Sequence, residues 1–177
     1  MVRRLVLLRH AKSAWPSGVP DHDRPLAGKG RRNAQATGGW FATEGPRPDL
    51  VLCSDALRAR QTWEIAAAVL SPAPAYRLEP ALYGAAPDEV IELARGMPDD
   101  VGTLVLVSHE PTMSQTADLL AGRGSDAAAL RRLHTKFPTN GIAVLRFTGS
   151  WSDVGPGQAV LEAFAVPRAP VRAATAR

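Results

Sequence analysis

The chain has 177 residues, 45% of them hydrophobic and 21% charged, with a net charge of +4 at pH 7. That make-up is ordinary for a soluble globular domain able to bury a core without disulfides or metal. Its single cysteine, Cys53, excludes an intramolecular disulfide, and its apolar runs are too short for a secretory leader or a membrane span, so a cytoplasmic protein without membrane contact is expected.

The basic excess points to anionic partners. Arg168, Arg172 and Arg177 supply part of it from an Ala/Pro-rich end with no interleaved aromatics, which reads as a solvated tail rather than a nucleic-acid arm. One domain over 1–166 and a flexible basic tail over 167–177 are expected.

Leu5 to Leu8 is an unbroken apolar run, the pattern of a strand covered on both faces, and it ends in Arg9 and His10. Proline, glycine and aspartate break any period from 16 to 28, a loop that borders the Arg-His pair. Ala34, Thr37, Trp40 and Phe41 recur at helical spacing between Gly30 and Thr43, although Gly38 and Gly39 weaken that helix. Residues 49–54 repeat the first design. Asp55 is placed to cap the following helix, which carries Arg58 in its first turn and continues to Leu70.

A weaker strand over Ala75–Leu78 and a short helix over Asp88–Arg95 come next. Thr103–Val107 is the third strong apolar run, and it ends in Ser108 and His109. Helices are expected from Thr112 to Leu120 and from Asp126 to Leu133. Gly141–Phe147 and Gln158–Val166 then read as a hairpin. The fold class is α/β: a three-layer sandwich with a mostly parallel central sheet, helices on both faces and an antiparallel edge hairpin near the C-terminus.

Open α/β sheets bind ligands beyond the carboxyl ends of their strands. Three strands deliver Arg9 with His10, Arg58 and His109 to that edge. If the strands are neighbours, at the ~4.8 Å spacing of a sheet, two imidazoles and two guanidiniums converge on one small anion. A tetrahedral phosphoryl group suits that set, because guanidinium forks bind its oxygens bidentately and stay charged at any working pH. The arrangement calls for no metal and no cofactor. His22 and His134 lack such contexts and read as surface residues, His22 being the better placed to line the pocket.

Arg9-His10-Ala11, RPLAGKG at 24–30, SDALRARQT at 54–62 and LVSHEP at 106–111 resemble the histidine phosphatase superfamily, which has a phosphoglycerate mutase-like fold. The resemblance spans most of the chain and looks closest to the small SixA-like phosphohistidine phosphatase branch. It implies that His10 is the nucleophile that accepts the phosphoryl group, with Arg9, Arg58 and His109 holding the equatorial oxygens. Attack requires a neutral His10, and two nearby arginines disfavour its imidazolium form.

The chain departs from the family pattern in three places. The usual RHG is RHA, and Pro16 stands where an asparagine often follows the nucleophile, leaving Ser13 and His22 as candidate substrate contacts. Trp15 matches a tryptophan often seen after the family's RHG, and core packing is an equal reading. Mutase-like members carry a general acid four residues before a Tyr-Gly pair, but Tyr83-Gly84 puts Pro80 there, with Glu79 one residue off. Glu79, Asp21, Asp23 and Glu110 are the candidate proton donors.

An imidazole leaving group, with an ordinary pKa of about 6.5, needs no strong acid. Little sequence between Leu70 and Thr103 is free to form a lid, so the site should be open enough for a histidine on a protein surface. The expected activity is therefore dephosphorylation of phosphohistidine on a protein. The alternatives are a small-molecule phosphatase or mutase, or a phosphoprotein-binding module without turnover. A cysteine-dependent phosphatase fails on spacing, since four residues rather than five separate Cys53 from Arg58, and Cys53 reads as a core thiol.

Overall fold

The structure is a computed structural model that describes residues 1–170. Six strands form one sheet: β1 (Val2–Arg9), β2 (Leu50–Cys53), β3 (Ala75–Leu78), β4 (Thr103–Ser108), β5 (Ile142–Thr148) and β6 (Val160–Ala165). Their spatial order is β3-β2-β4-β1-β5-β6. The first four are parallel to one another, and β5 and β6 complete the sheet as an antiparallel hairpin.

The unbroken apolar runs are explained by helices on both faces. Leu5, Leu7, Leu52, Leu104 and Leu106 point to one side, where they meet α3 (Pro87–Arg95), α4 (Thr112–Leu120) and α5 (Ala127–Thr135). Val6, Leu8, Val51, Cys53, Val105 and Val107 point to the other, against α1 (Gly28–Thr43) and α2 (Leu57–Ala67). Alternation along each strand thus feeds two cores at once. Trp63 of α2 fills the centre of the second core, and Trp151 closes the first from a 3-10 turn at Trp151–Asp153 inside the hairpin connection.

Several details differ from the sequence reading. Helix α2 stops at Ala67, short of Leu70, and its N-cap is Ala56 with no side-chain hydrogen bond. Asp55 is instead occupied by His22, as described below. Gly38 marks a close approach: a Cβ there would press into the Ala66 carbonyl and the Val69 side chain, so the glycine lets α1 and α2 pack. Of the tail expected from 167 onward, Pro167 and Ala169 are hydrogen-bonded to Asn140 and Asn33, and Arg168 to Thr139. Residues 171–177 lie outside the described residues. No helix among the described residues is long and apolar enough to cross a membrane.

Gly30 joins the fold to the site. A Cβ there would overlap the Lys12 carbonyl, just past the Arg9-His10 pair. Ala27 N–H donates to the same carbonyl at 2.9 Å, so the start of α1 is fastened to the loop after β1. Gly30→Ala is expected to lower stability by about 2 kcal/mol or more, a severe backbone-clash effect. Urea denaturation monitored by tryptophan fluorescence measures it, and an unchanged midpoint contradicts this account.

Candidate active site

The strand order puts the three polar strand ends side by side. Arg9 pairs with Ser108 in the β1–β4 register, and His10 N–H extends that ladder to the Ser108 carbonyl at 3.0 Å. Ser54 N–H does the same from β2 to the Val107 carbonyl at 2.9 Å. His10 and His109 consequently emerge as neighbours, their ring centroids 5.1 Å apart.

His10 is buried, and its Nδ1 lies 2.8 Å from the Ala11 carbonyl oxygen. A carbonyl can only accept, so Nδ1 carries the hydrogen and Nε2 keeps its lone pair. Arg58 Nε donates toward that nitrogen at 3.3 Å. The turn holding His10 is pinned on both sides. Ala11 N–H donates to Thr62 Oγ1 at 3.0 Å, while Asn140 N–H reaches the carbonyls of Arg9 and His10, each at 3.1 Å. Asn140 holds this position in a left-handed conformation, with φ of 64°.

Burial is the largest cause pushing the His10 pKa down to about 3, opposed by the Ala11 carbonyl and reinforced by His109, Arg58 and Arg9. The two arginines expected from sequence to lower it do so, but behind burial. Burial also leads in lowering His109 to about 4, with Arg58 next. Both imidazoles are therefore neutral near pH 7.

His109 Nε2 lies 2.8 Å from Ser54 Oγ, which also accepts from Ala56 N–H at 3.4 Å. In the tautomer where Ser54 donates to Nε2, the hydrogen of His109 sits on Nδ1. His109 Nδ1 and Arg9 Nε are both buried without a protein partner. Arg9 Nε, and His109 Nδ1 in that tautomer, are donors of the kind an oxyanion accepts from. Arg9 is anchored through Nη1 to the Phe137 carbonyl at 2.7 Å.

Arg58 Nη1 and Nη2 donate to the Asp21 carbonyl and Oδ2 at 2.6 and 3.0 Å. Tyr83 OH donates to the same Oδ2 at 2.8 Å, and Arg24 Nε to Oδ1 at 2.9 Å. The Tyr83 hydrogen bond is the largest cause holding the Asp21 pKa down to about 2; burial opposes it, and the charges of Arg58 and Arg24 add to the lowering. Asp21, expected among the proton donors, is therefore an ionised acceptor.

The other candidate acids are also engaged. Glu79 accepts from Ala81 N–H at the 3-10 turn Pro80–Leu82, and Glu110 caps the first turn of α4 through Ser114. Asp23 is exposed and lies 3.4 Å from His22 Nδ1. Ser13 is buried and accepts from Arg24 Nη1 at 3.0 Å, so its oxygen is turned to the loop. His22 is at the rim, its Nε2 3.0 Å from Asp55 and its ring edge-on to Tyr83. Asp55, then Asp23, raises the pKa of His22. Trp15 is 74% exposed and carries the Arg24 guanidinium on its face at 3.4 Å, which rules out core packing. Cys53 is buried and its thiol pKa is raised by burial, so it supplies no thiolate.

Sequence reasoning did not assign parts to Thr62, Ser54, Arg24 and Asn140. Arg58 and Thr62, four residues apart on α2, share one helix face, and that spacing was a usable signal. Asn140 gave none, because its position depends on the β5 connection.

The sequence model of the histidine phosphatase superfamily (branch 1) matches residues 5–84. An uncharacterised protein of Mycobacterium tuberculosis (strain ATCC 25618 / H37Rv) is 54% identical over 162 residues, covering 91% of this chain and 100% of that one. An uncharacterised protein of Mycobacterium leprae is 46% identical over 165 residues, with coverage of 91% and 100%. Among solved structures, a candidate phosphohistidine phosphatase SixA from Nakamurella multipartitia is similar at TM-score 0.82 and 35% identity, over 94% of this chain and 97% of that one. Its counterpart from Agrobacterium tumefaciens gives 0.78 and 31%, over 93% and 98%.

On lowering the pH, nitrogen-15 NMR of the imidazoles should show His22 protonating above its ordinary 6.5 and before His10 and His109, because its pKa is raised and theirs are lowered. His10 and His109, with lowered values, should still be neutral at pH 5. An imidazolium at His10 at pH 5 would contradict the electrostatic account.

Proposed function

Because the chain belongs to the histidine phosphatase superfamily, we propose that it hydrolyses phosphohistidine on a protein through a covalent phosphoryl group on its own His10. The observation that carries this reading is the fixed tautomer of His10. A neutral imidazole presents its lone-pair nitrogen, Nε2, to Arg58 and stands beside His109.

In the first step Nε2 attacks phosphorus and the substrate's P–N bond breaks. The leaving imidazole keeps the electron pair and takes a proton from water. Negative charge on the phosphoryl oxygens is met by Arg9, Arg58 and the Nδ1–H of His109, donors already in place before the reaction. In the second step water attacks phosphorus, the Nε2–P bond breaks and phosphate leaves, with one proton passing to solvent. His10 is neutral again. Two guanidiniums balance the phosphoryl charge, and no metal enters this reading.

Two features support phosphohistidine as the substrate. The nearby carboxyl groups are ionised, exposed or used as caps, which suits a leaving group that needs little acid assistance. Between β3 and β4 the chain holds only the short turn at Pro80–Leu82 and α3, so no inserted lid stands over the sheet edge. Tyr83 and Trp15 are exposed at its border.

Rapid-quench incubation with a phosphohistidine-bearing protein and with an aryl phosphate tests the proposal. An acid-labile, alkali-stable phosphoenzyme is expected, and it should be absent from His10→Ala. Arg58→Ala should remain folded and lose ~10²–10³ in rate. Wild-type turnover by His10→Ala would overturn the mechanism, whereas faster turnover of the aryl phosphate would overturn the substrate assignment.

A further inference from the structure

Arg58 donates to His10 through Nε, yet both its terminal nitrogens are taken by one residue of the loop after β1. Nη1 meets the Asp21 carbonyl at 2.6 Å and Nη2 meets Asp21 Oδ2 at 3.0 Å. A guanidinium is planar, with five N–H bonds in a fixed fork. Nη1 and Nη2 form its end-on edge; Nε and the second hydrogen of Nη2 form a side-on edge. Asp21 occupies the first edge and leaves the second toward the nucleophile.

We infer that Asp21 is a positioning residue, which presets Arg58 to clamp a phosphoryl group on His10 through the Nε/Nη2 edge. The inference rests on the proposed phosphoryl transfer at His10. Free arginine side chains have many rotamers, and a clamp that is ordered beforehand avoids that cost during reaction. Asp21 is itself held from two further directions. Tyr83 OH donates to Oδ2 at 2.8 Å, and Arg24 Nε donates to Oδ1 at 2.9 Å.

Arg24 is buried, stacks on Trp15 and also donates to Ser13, so it ties Asp21 to the rest of the same loop. Tyr83 brings the connection after β3 to the same carboxylate. The loop that looked irregular in sequence is thus a brace whose strut ends on the guanidinium. This also explains why an ionised carboxylate is tolerated beside an anion site: the charges of Arg58 and Arg24 flank it on two sides.

A double-mutant cycle tests the inference, with single-turnover phosphorylation of His10 by an aryl phosphate as the readout. Asp21→Ala is expected to slow that step ~10–100-fold with KM changed less than about two-fold, because misaligned donors act mainly in the transition state. In an Arg58→Ala background the same substitution should cost less than about two-fold, since its effect travels through Arg58. Tyr83→Phe, which keeps the loop and removes one bond to Asp21, should show a smaller loss with the same dependence on Arg58.

An undiminished Asp21 effect in the Arg58→Ala background would overturn the positioning role, as would wild-type rates in Asp21→Ala. If Arg58→Ala itself reacts at the wild-type rate, the proposed site has failed instead. If Asp21→Ala does not fold, the Tyr83→Phe cycle decides alone, and additivity there overturns the inference.

Discussion

The hydrogen bond from His10 Nδ1 to the Ala11 carbonyl is short, local and buried, and the site depends on it. An imidazole has two nitrogens of similar basicity, and in solution the proton moves between them. Here a backbone acceptor one residue away assigns the proton, so the lone pair falls on the nitrogen that faces Arg58. The bond holds only because the turn around it is fixed. Thr62 takes the Ala11 N–H, Asn140 spans the Arg9 and His10 carbonyls, and Gly30 admits the Lys12 backbone against α1.

Bringing two guanidiniums toward two imidazoles is costly unless the imidazoles stay neutral. Burial does most of that by disfavouring the charged form of His10 and His109, and the arginines add to it. The remaining positive charge is only partly balanced by protein. Arg58 is paired with Asp21, whereas Arg9 is hydrogen-bonded to a carbonyl, feels the more distant Glu110 carboxylate and has an Nε without a protein partner. Under the proposed reading, the phosphoryl dianion of the substrate completes that balance.

Much of this was legible in the sequence because it depends on local signals. Apolar runs ending in Arg-His, Ser-Asp and Ser-His gave three strands and their polar ends, and parallel order made those ends coincide. The two-faced burial of β1, β2 and β4 followed from their lack of alternation. The acid assignments were less secure, because a carboxylate's role depends on partners far along the chain. Asp21 meets Tyr83 sixty-two residues later, and Asp55 meets His22 instead of capping α2. Asn140 is the extreme case: its left-handed backbone and its grip on the His10 turn belong to tertiary packing alone.

The central claim is that the phosphoryl group is carried on one particular nitrogen of one histidine. Proton–phosphorus correlation NMR of the trapped phosphoenzyme, assigned to His10, reads this directly. Phosphorus on Nε2 couples to both ring carbon-bound protons, while phosphorus on Nδ1 couples to one. The account predicts coupling to both. A single coupling, or a phosphoryl group on His109, would contradict it.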